Sequence, residues 1–234
     1  KQGEIVLSSG RRIVPSDLGL IASLGIAEVN VSRRLRVAFF STGDELKSIG
    51  ESLQAGQIYD SNRYTLFGML KRLDVDVLDM GVIPDQKAPL RQALLDASQQ
   101  ADVIITSGGV SVGDADYVKE MLAELGQVDF WKIAMRPGRP LAFGQIDNAL
   151  FFGLPGNPVS VMVTFYQFVT PALRQLMGEA QPEATTIQVT CTDTIRKRPG
   201  RFEYQRGILY IDQNGQTKVK TTGGQGSGIL SSMS

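Results

Sequence analysis

Short apolar runs alternate with helix-patterned segments through most of this 234-residue chain, and that alternation constrains the fold more than any other feature. Leu35 to Phe40, Val75 to Ile83, Ala101 to Thr106 and Leu150 to Leu154 read as strands, with Val128 to Ile133 and Leu141 to Ile146 as two more. Asp60-Ser61-Asn62 caps a helix that runs to Leu73, a second helix spans about Ala88 to Gln99, and a third ends near Leu125 ahead of Gly126. A fourth opens at Asn157-Pro158, a strong helix start, and stops at Gly178. Strands and helices in this order predict an α/β fold with a doubly wound, mostly parallel sheet, right-handed crossovers laying helices on both faces. The pairs Phe39-Phe40 and Phe151-Phe152 read as core, and Tyr117 and Trp131 as packing.

The ends of the chain have a different texture. Residues 1–32 read as an extended piece followed by a helix that starts at Pro15 and ends near Gly25. Arg33, Arg34 and Arg36 then read as a solvated hinge into an α/β domain over residues 33–178. From Ala184 onward, alternation of period two replaces the helical pattern. Thr186 to Thr192, Phe202 to Ile211 and Thr217 to Thr221 read as antiparallel strands of a small β domain, 184–234, with Asn214-Gly215 as a hairpin turn. That region carries seven Lys/Arg against three Asp/Glu, while the whole chain is balanced at 24 of each.

A chain of zero net charge is a poor general ligand for nucleic acid. No apolar run is long enough for a membrane span. With no histidine, a Ser/His/Asp triad, a Cys/His pair and any His-ligated metal are excluded within the chain. The single cysteine, Cys191, excludes an internal disulfide and suits a reducing cytoplasm. Chemistry is left to carboxylates, Lys/Arg, hydroxyls, backbone amides and a hard cation.

Those groups gather where an open α/β sheet binds its ligands, beyond the carboxyl ends of the strands. The stretch SGGVSVGDADY, Ser107 to Tyr117, follows the third strand. Its Gly108, Gly109 and Gly113 let the backbone turn tightly, and with Ser107 and Ser111 they suit an anion cradle opening onto a helix. A plain capped strand-to-helix turn accounts for the same residues. The neighbouring loops bring Asp44 and Glu45, Asp85, Asp114 and Asp116, and the rigid turn Pro155-Gly156-Asn157-Pro158. Acidic groups so placed repel unless a cation sits among them, and Mg²⁺ beside a phosphate is the natural one. Lys132, Arg136 and Arg139, around a stiff Pro-Gly turn, suit an oxyanion.

The motifs STGDEL (41–46), IYDSNR (58–63), SGGVSVGDADY, MRPGRP (135–140), GLPGNPVS (153–160), YQRG (204–207) and GGQGSG (223–228) closely resemble the molybdopterin molybdenumtransferases of the MoeA and gephyrin E-domain type, over essentially the whole chain. The resemblance implies a Mg²⁺-dependent transferase of molybdenum cofactor synthesis. It would take adenylylated molybdopterin and molybdate and release AMP. The implied fold is a molybdopterin-binding α/β domain followed by a β-barrel that stops short of its last strands. Glu45, Asp85 and Asp116 match the family's acidic site residues, with Asp85 and Asp116 as metal ligands. Ser107, Gly108, Gly109, Ser111, Gly113, Pro155, Asn157 and Pro158 would hold the cofactor precursor. Lys132, Arg136, Arg139, Arg206 and Ser227 would hold molybdate. The family implies a cytoplasmic homodimer supplied by a molybdopterin adenylyltransferase, with no nucleic acid or membrane partner. Residues 1–32 would be the remnant of the family's N-terminal domains, so this piece alone is expected to be weakly active or inactive. Two alternatives stand beside this reading: a molybdopterin adenylyltransferase, and a non-catalytic gephyrin-like scaffold.

Overall fold

The computed structural model describes residues 3–109, 116–180, 186–197 and 199–234. In chain order the elements are α1 (Pro15–Ser23), β1 (Arg36–Thr42), β2 (Leu46–Lys47), β3 (Ile58–Tyr59), α2 (Ser61–Lys71), β4 (Asp76–Ile83), α3 (Lys87–Gln100), β5 (Val103–Ser107), α4 (Asp116–Leu125) and β6 (Gly126–Lys132). They continue with β7 (Met135–Arg136), β8 (Pro140–Ile146), β9 (Ala149–Leu154), α5 (Pro158–Thr164), a π-helical turn (Phe165–Val169) and α6 (Thr170–Leu176). The last part holds β10 (Thr190–Cys191), β11 (Phe202–Glu203), β12 (Gly207–Ile211), β13 (Thr217–Thr221) and a 3₁₀ turn (Leu230–Met233).

The central sheet runs β4-β1-β5-β9-β8-β6. Its first four strands are parallel, and β8 and β6 are antiparallel additions. Successive residues of β1 point to opposite faces, and helices cover both. On one face Val37 and Phe39 pack against Leu66 and Leu70 of α2 and Phe165 of the π turn. On the other, Ala38 and Phe40 meet Leu90 and Leu94 of α3 and Leu122 of α4. Each fully buried Phe or Leu contributes about 1.5–3 kcal/mol. A strand enclosed on both faces is apolar along its whole length, which is why β1 and β5 are so plain in the sequence.

The single helix expected from Pro158 to Met177 is divided by the π turn. Pro171 lacks an N–H and its ring crowds the carbonyl four residues back; a widened turn just before it relieves both problems. The arginines before β1 are solvent-exposed as expected, but Arg33 and Arg34 are also paired. Arg33 forks onto both oxygens of Asp102 at 2.6 and 2.7 Å, and Arg34 pairs with Asp74 at 3.4 Å. Trp131 is not packed. It lies on the edge strand β6 and is 55% exposed.

After β9 the expectations need more correction. Only Thr190–Cys191 of the first expected strand forms, and it runs parallel to β13; β12 and β13 are antiparallel. The expected run from Phe202 to Ile211 breaks at Tyr204–Arg206, because the backbone changes partners. The N–H of Tyr204 donates to the Arg136 carbonyl, and that of Arg206 donates to the Gln225 side chain. Thus β11 pairs in parallel with β7, while β12 joins the three-stranded sheet β10-β13-β12. Among the described residues these small sheets do not close into a barrel. No helix among the described residues is long and apolar enough to cross a membrane.

Candidate functional site

Strands β1, β4, β5 and β9 end together. Thr42 lies opposite Ile83, Ser41 opposite Ser107, and Ser107 opposite Leu154. The loops that follow these strands therefore emerge side by side. They line a cleft of about 820 Å³.

The first loop brings Glu45, whose carboxylate folds back over Gly43. A Cβ on Gly43 would lie 2.8 Å from Glu45 Oε2. The second brings Asp85, half-buried, whose N–H donates to Asp44 Oδ1 at 3.3 Å. The third begins at Ser107, whose hydroxyl lies 2.9 Å from that of Ser41. Gly108 has φ +89°, and a Cβ there would collide with the Thr42 carbonyl, so only glycine fits. Its N–H donates to the Leu154 carbonyl and supplies nothing to an anion. A Cβ on Gly109, at φ +69°, would lie 3.0 Å from the Thr42 methyl. Ser111 and Gly113 lie outside the described residues, as does the side chain of Asp116. The fourth loop sets buried Pro155 and half-buried Pro158 as a wall, with Asn157 exposed between them.

The turn after β7 also lines the cleft. Arg136 and Arg139 line the cleft as exposed cations around buried Pro137 and Gly138. Arg136 stands 3.9 Å from Glu203. Ser227 lines the cleft from the C-terminal part, and its carbonyl accepts from Val159 N at 3.0 Å. Two expected oxyanion ligands stand apart. Lys132, at the exposed end of β6, does not line the cleft. Arg206 is 9% exposed and its guanidinium donates to Ser232 Oγ, the Gly226 carbonyl and the Gly224 carbonyl at 3.0, 3.1 and 3.4 Å. Burial pulls its pKa below the usual arginine range, and the side chain is committed to holding the 223–228 loop.

Several lining residues were not singled out as ligands by sequence. Asp60 caps α2 by accepting from Arg63 N at 3.1 Å. Asn62 donates through Nδ2 to the Gly156 carbonyl at 2.7 Å. Thr42 and Arg201 also face the cleft. The capping pattern at 60–62 was the available signal, but it speaks of a helix start, not of a wall. Thr42 Oγ1, Asp60 Oδ2 and Asn62 Oδ1 are buried with no hydrogen-bond partner in the protein; such atoms each cost about 1–3 kcal/mol.

Glu45 and Asp85 in one cleft are hard oxygen donors of the kind Mg²⁺ takes. Among the described residues no three His, Cys, Asp or Glu side chains gather closely enough to hold a metal unaided.

A parallel sheet wound on both faces, with a polar cleft past its strand ends, defines an α/β ligand-binding protein of the open-sheet kind. Residues 38–175 match the family described as probable molybdopterin binding domain, and residues 188–234 match the MoeA C-terminal region (domain IV). The chain belongs to the molybdopterin-binding domain family. It is 49% identical over 232 residues to a molybdopterin molybdenumtransferase of Haemophilus influenzae, covering 99% of this chain and 57% of that one. It is 38% identical over 266 residues to the gephyrin of Dictyostelium discoideum, covering 99% of this chain and 37% of that protein. The molybdopterin biosynthesis MoeA protein of Pyrococcus horikoshii OT3 superposes with a TM-score of 0.78 at 29% identity, over all of this chain and 55% of that structure. The chain thus spans about half the length of the molybdenumtransferases it matches.

Proposed function

We propose that this chain is the substrate-holding part of a molybdopterin molybdenumtransferase, acting on adenylylated molybdopterin and molybdate with release of AMP. The observation that carries the reading is one cleft lined by Glu45 and Asp85, by Arg136 and Arg139, and by the glycine turn at Gly108 and Gly109. A phosphoanhydride and a tetrahedral dianion need those two kinds of group side by side. The match of residues 188–234 to the MoeA C-terminal region favours this transferase over an adenylyltransferase.

The chemistry divides between the walls. Water breaks the bond to the adenylyl group, so AMP leaves and a terminal phosphate stays. Glu45 or Asp85 takes the proton of that water. Arg136 and Arg139 hold molybdate, and Ser227 borders the same space. Two thiols give their protons to one molybdate oxygen, which departs as water as both sulfurs bind the metal. Mg²⁺, held by Asp85 with Asp116, would supply neutralisation of phosphate charge. Pro155 and Pro158 fix the wall against which the precursor lies, and Asn157 sits at its rim.

The full-length protein is read as a cytoplasmic homodimer supplied by a molybdopterin adenylyltransferase, and this piece alone as weakly active or inactive. The test is product analysis with adenylylated molybdopterin, molybdate and Mg²⁺. AMP release that depends on molybdate in the full-length protein supports the reading. Formation of the adenylylated species from ATP replaces it with the adenylyltransferase.

A further inference from the structure

Arg63, in the first turn of α2, does not line the cleft. Its side chain nevertheless reaches both of the segments that carry the cleft's carboxylates. Nε donates to Asp79 Oδ1 at 2.8 Å, and a terminal nitrogen lies 3.5 Å from Ser48 Oγ. Asp79 Oδ1 accepts a second bond, from the Gly81 N–H at 3.0 Å. These residues mark a bulge in β4. Phe39 lies opposite Asp79 but Ser41 opposite Val82, so β4 holds one residue more than β1 over this step. Gly81 sits in the bulge at φ +82°, and the guanidinium carbon of Arg63 lies 4.0 Å from the place its Cβ would take. An extra residue of this kind reverses the faces that the following side chains present, and Asp85 follows Gly81 by four residues. On the other side, Ser48 follows Glu45 by three residues. That segment is already tied to the approach to α2. The Ile58 N–H donates to the Glu45 carbonyl at 2.9 Å, and the Asp60 N–H to the Lys47 carbonyl at 3.0 Å.

We propose that Arg63 and Asp79 are a positioning pair for the two carboxylates of the cleft. The pair locks the β4 bulge, which aims the chain towards Asp85, onto the helix start that carries the Glu45 segment. The inference rests on the proposed function, in which Glu45 or Asp85 takes a proton from water. Neither Arg63 nor Asp79 lines the cleft, so both act through other residues. With side chains 22% and 30% exposed, an ion pair adds little to stability. What this one fixes is direction, because a single carboxylate oxygen holds the bulge and the helix together. A reacting group displaced by about 1 Å costs up to about 10²-fold in rate.

Arg63→Met keeps the bulk of the side chain and the Asp79–Gly81 bond, and removes the tie. Asp79→Asn keeps an oxygen that accepts from both Gly81 and Arg63. Molybdate-dependent AMP release by the full-length protein is measured for each, well below its melting temperature. The pair predicts that Arg63→Met lowers kcat about 10- to 100-fold with KM near the parent's, and that Asp79→Asn retains most of the parent's kcat. A lowered melting temperature with parent-like kcat makes the pair a staple of the fold and overturns the proposal. A raised KM with kcat kept, or parent-like values throughout, also overturns it, and each of these results leaves the proposed function intact. A loss in Asp79→Asn as deep as in Arg63→Met assigns the effect to charge and overturns positioning through geometry. A parent protein that releases no AMP with molybdate present overturns the proposed function, and this inference with it.

Discussion

The Asn62 amide donates to the Gly156 carbonyl at 2.7 Å, joining the start of α2 to the loop after β9 across 94 residues of sequence. One hydrogen bond thereby fixes the distance between two walls of the cleft. Asn62→Ala is expected to cost about 1 kcal/mol in urea denaturation and to weaken AMP binding in the full-length protein. Unchanged stability and binding would show that the proline-rich turn holds itself.

Gly108 tests the backbone. With φ +89° and the Thr42 carbonyl in the way of a Cβ, Gly108→Ala is expected to destabilise the fold by about 1–3 kcal/mol. Equilibrium unfolding reads this directly, and a parent-like midpoint would mean that the turn has another conformation open to it.

Asp85 tests the proposed chemistry. Asp85→Asn in the full-length protein is expected to slow molybdate-dependent AMP release about 10²-fold. Its melting temperature should stay within a degree or two of the parent, because the side chain is half-buried in a loop. A large loss of stability would make Asp85 a structural residue.

Arg206→Met tests the clamp on the last segment. The guanidinium bridges Ser232 and two carbonyls of the 223–228 loop, and leaving these unmet costs about 1–3 kcal/mol. Limited proteolysis should cut near residues 223–234 faster than in the parent while the α/β part stays intact. A direct role for Arg206 in holding molybdate predicts lost molybdate affinity with parent-like proteolysis.

The Arg33 fork and the Arg36 N–H hold the Asp102 carboxyl below the usual carboxylate range. A depressed folded-state pKa gives stability that is present above the unfolded value, about 3.9, and lost as pH falls through the folded one. Asp102→Asn should therefore lower the melting temperature at pH 7, and the difference should fade towards pH 3. A difference that persists at low pH would point to packing rather than charge.

How much of this was legible depended on what each residue reports. Val37 to Phe40 are enclosed on both faces, so their strand is an unbroken apolar run; Asp60 caps α2 through a local bond, so the helix start is visible in three letters. Glu45 and Asp85 line one cleft because parallel strands deliver their following loops to one edge. The anchoring of the 223–228 loop by Arg206 was not legible because its partners lie 18 to 26 residues away and are mostly carbonyls, which leave no mark in a sequence. The short β10 was misread because alternation of apolar and polar residues does not say which neighbour a strand will find.

The pairing of β11 with β7 places Glu203 beside Arg136, on the very turn that carries the cleft's cations. The C-terminal part is therefore not an appendage. Its docking and any anion held at Arg136 would share one element, so a change in one is felt by the other in equal measure, whatever its sign. Cutting the chain between α6 and β10 would not merely shorten the protein; it would remove the strand and the carboxylate that brace Arg136.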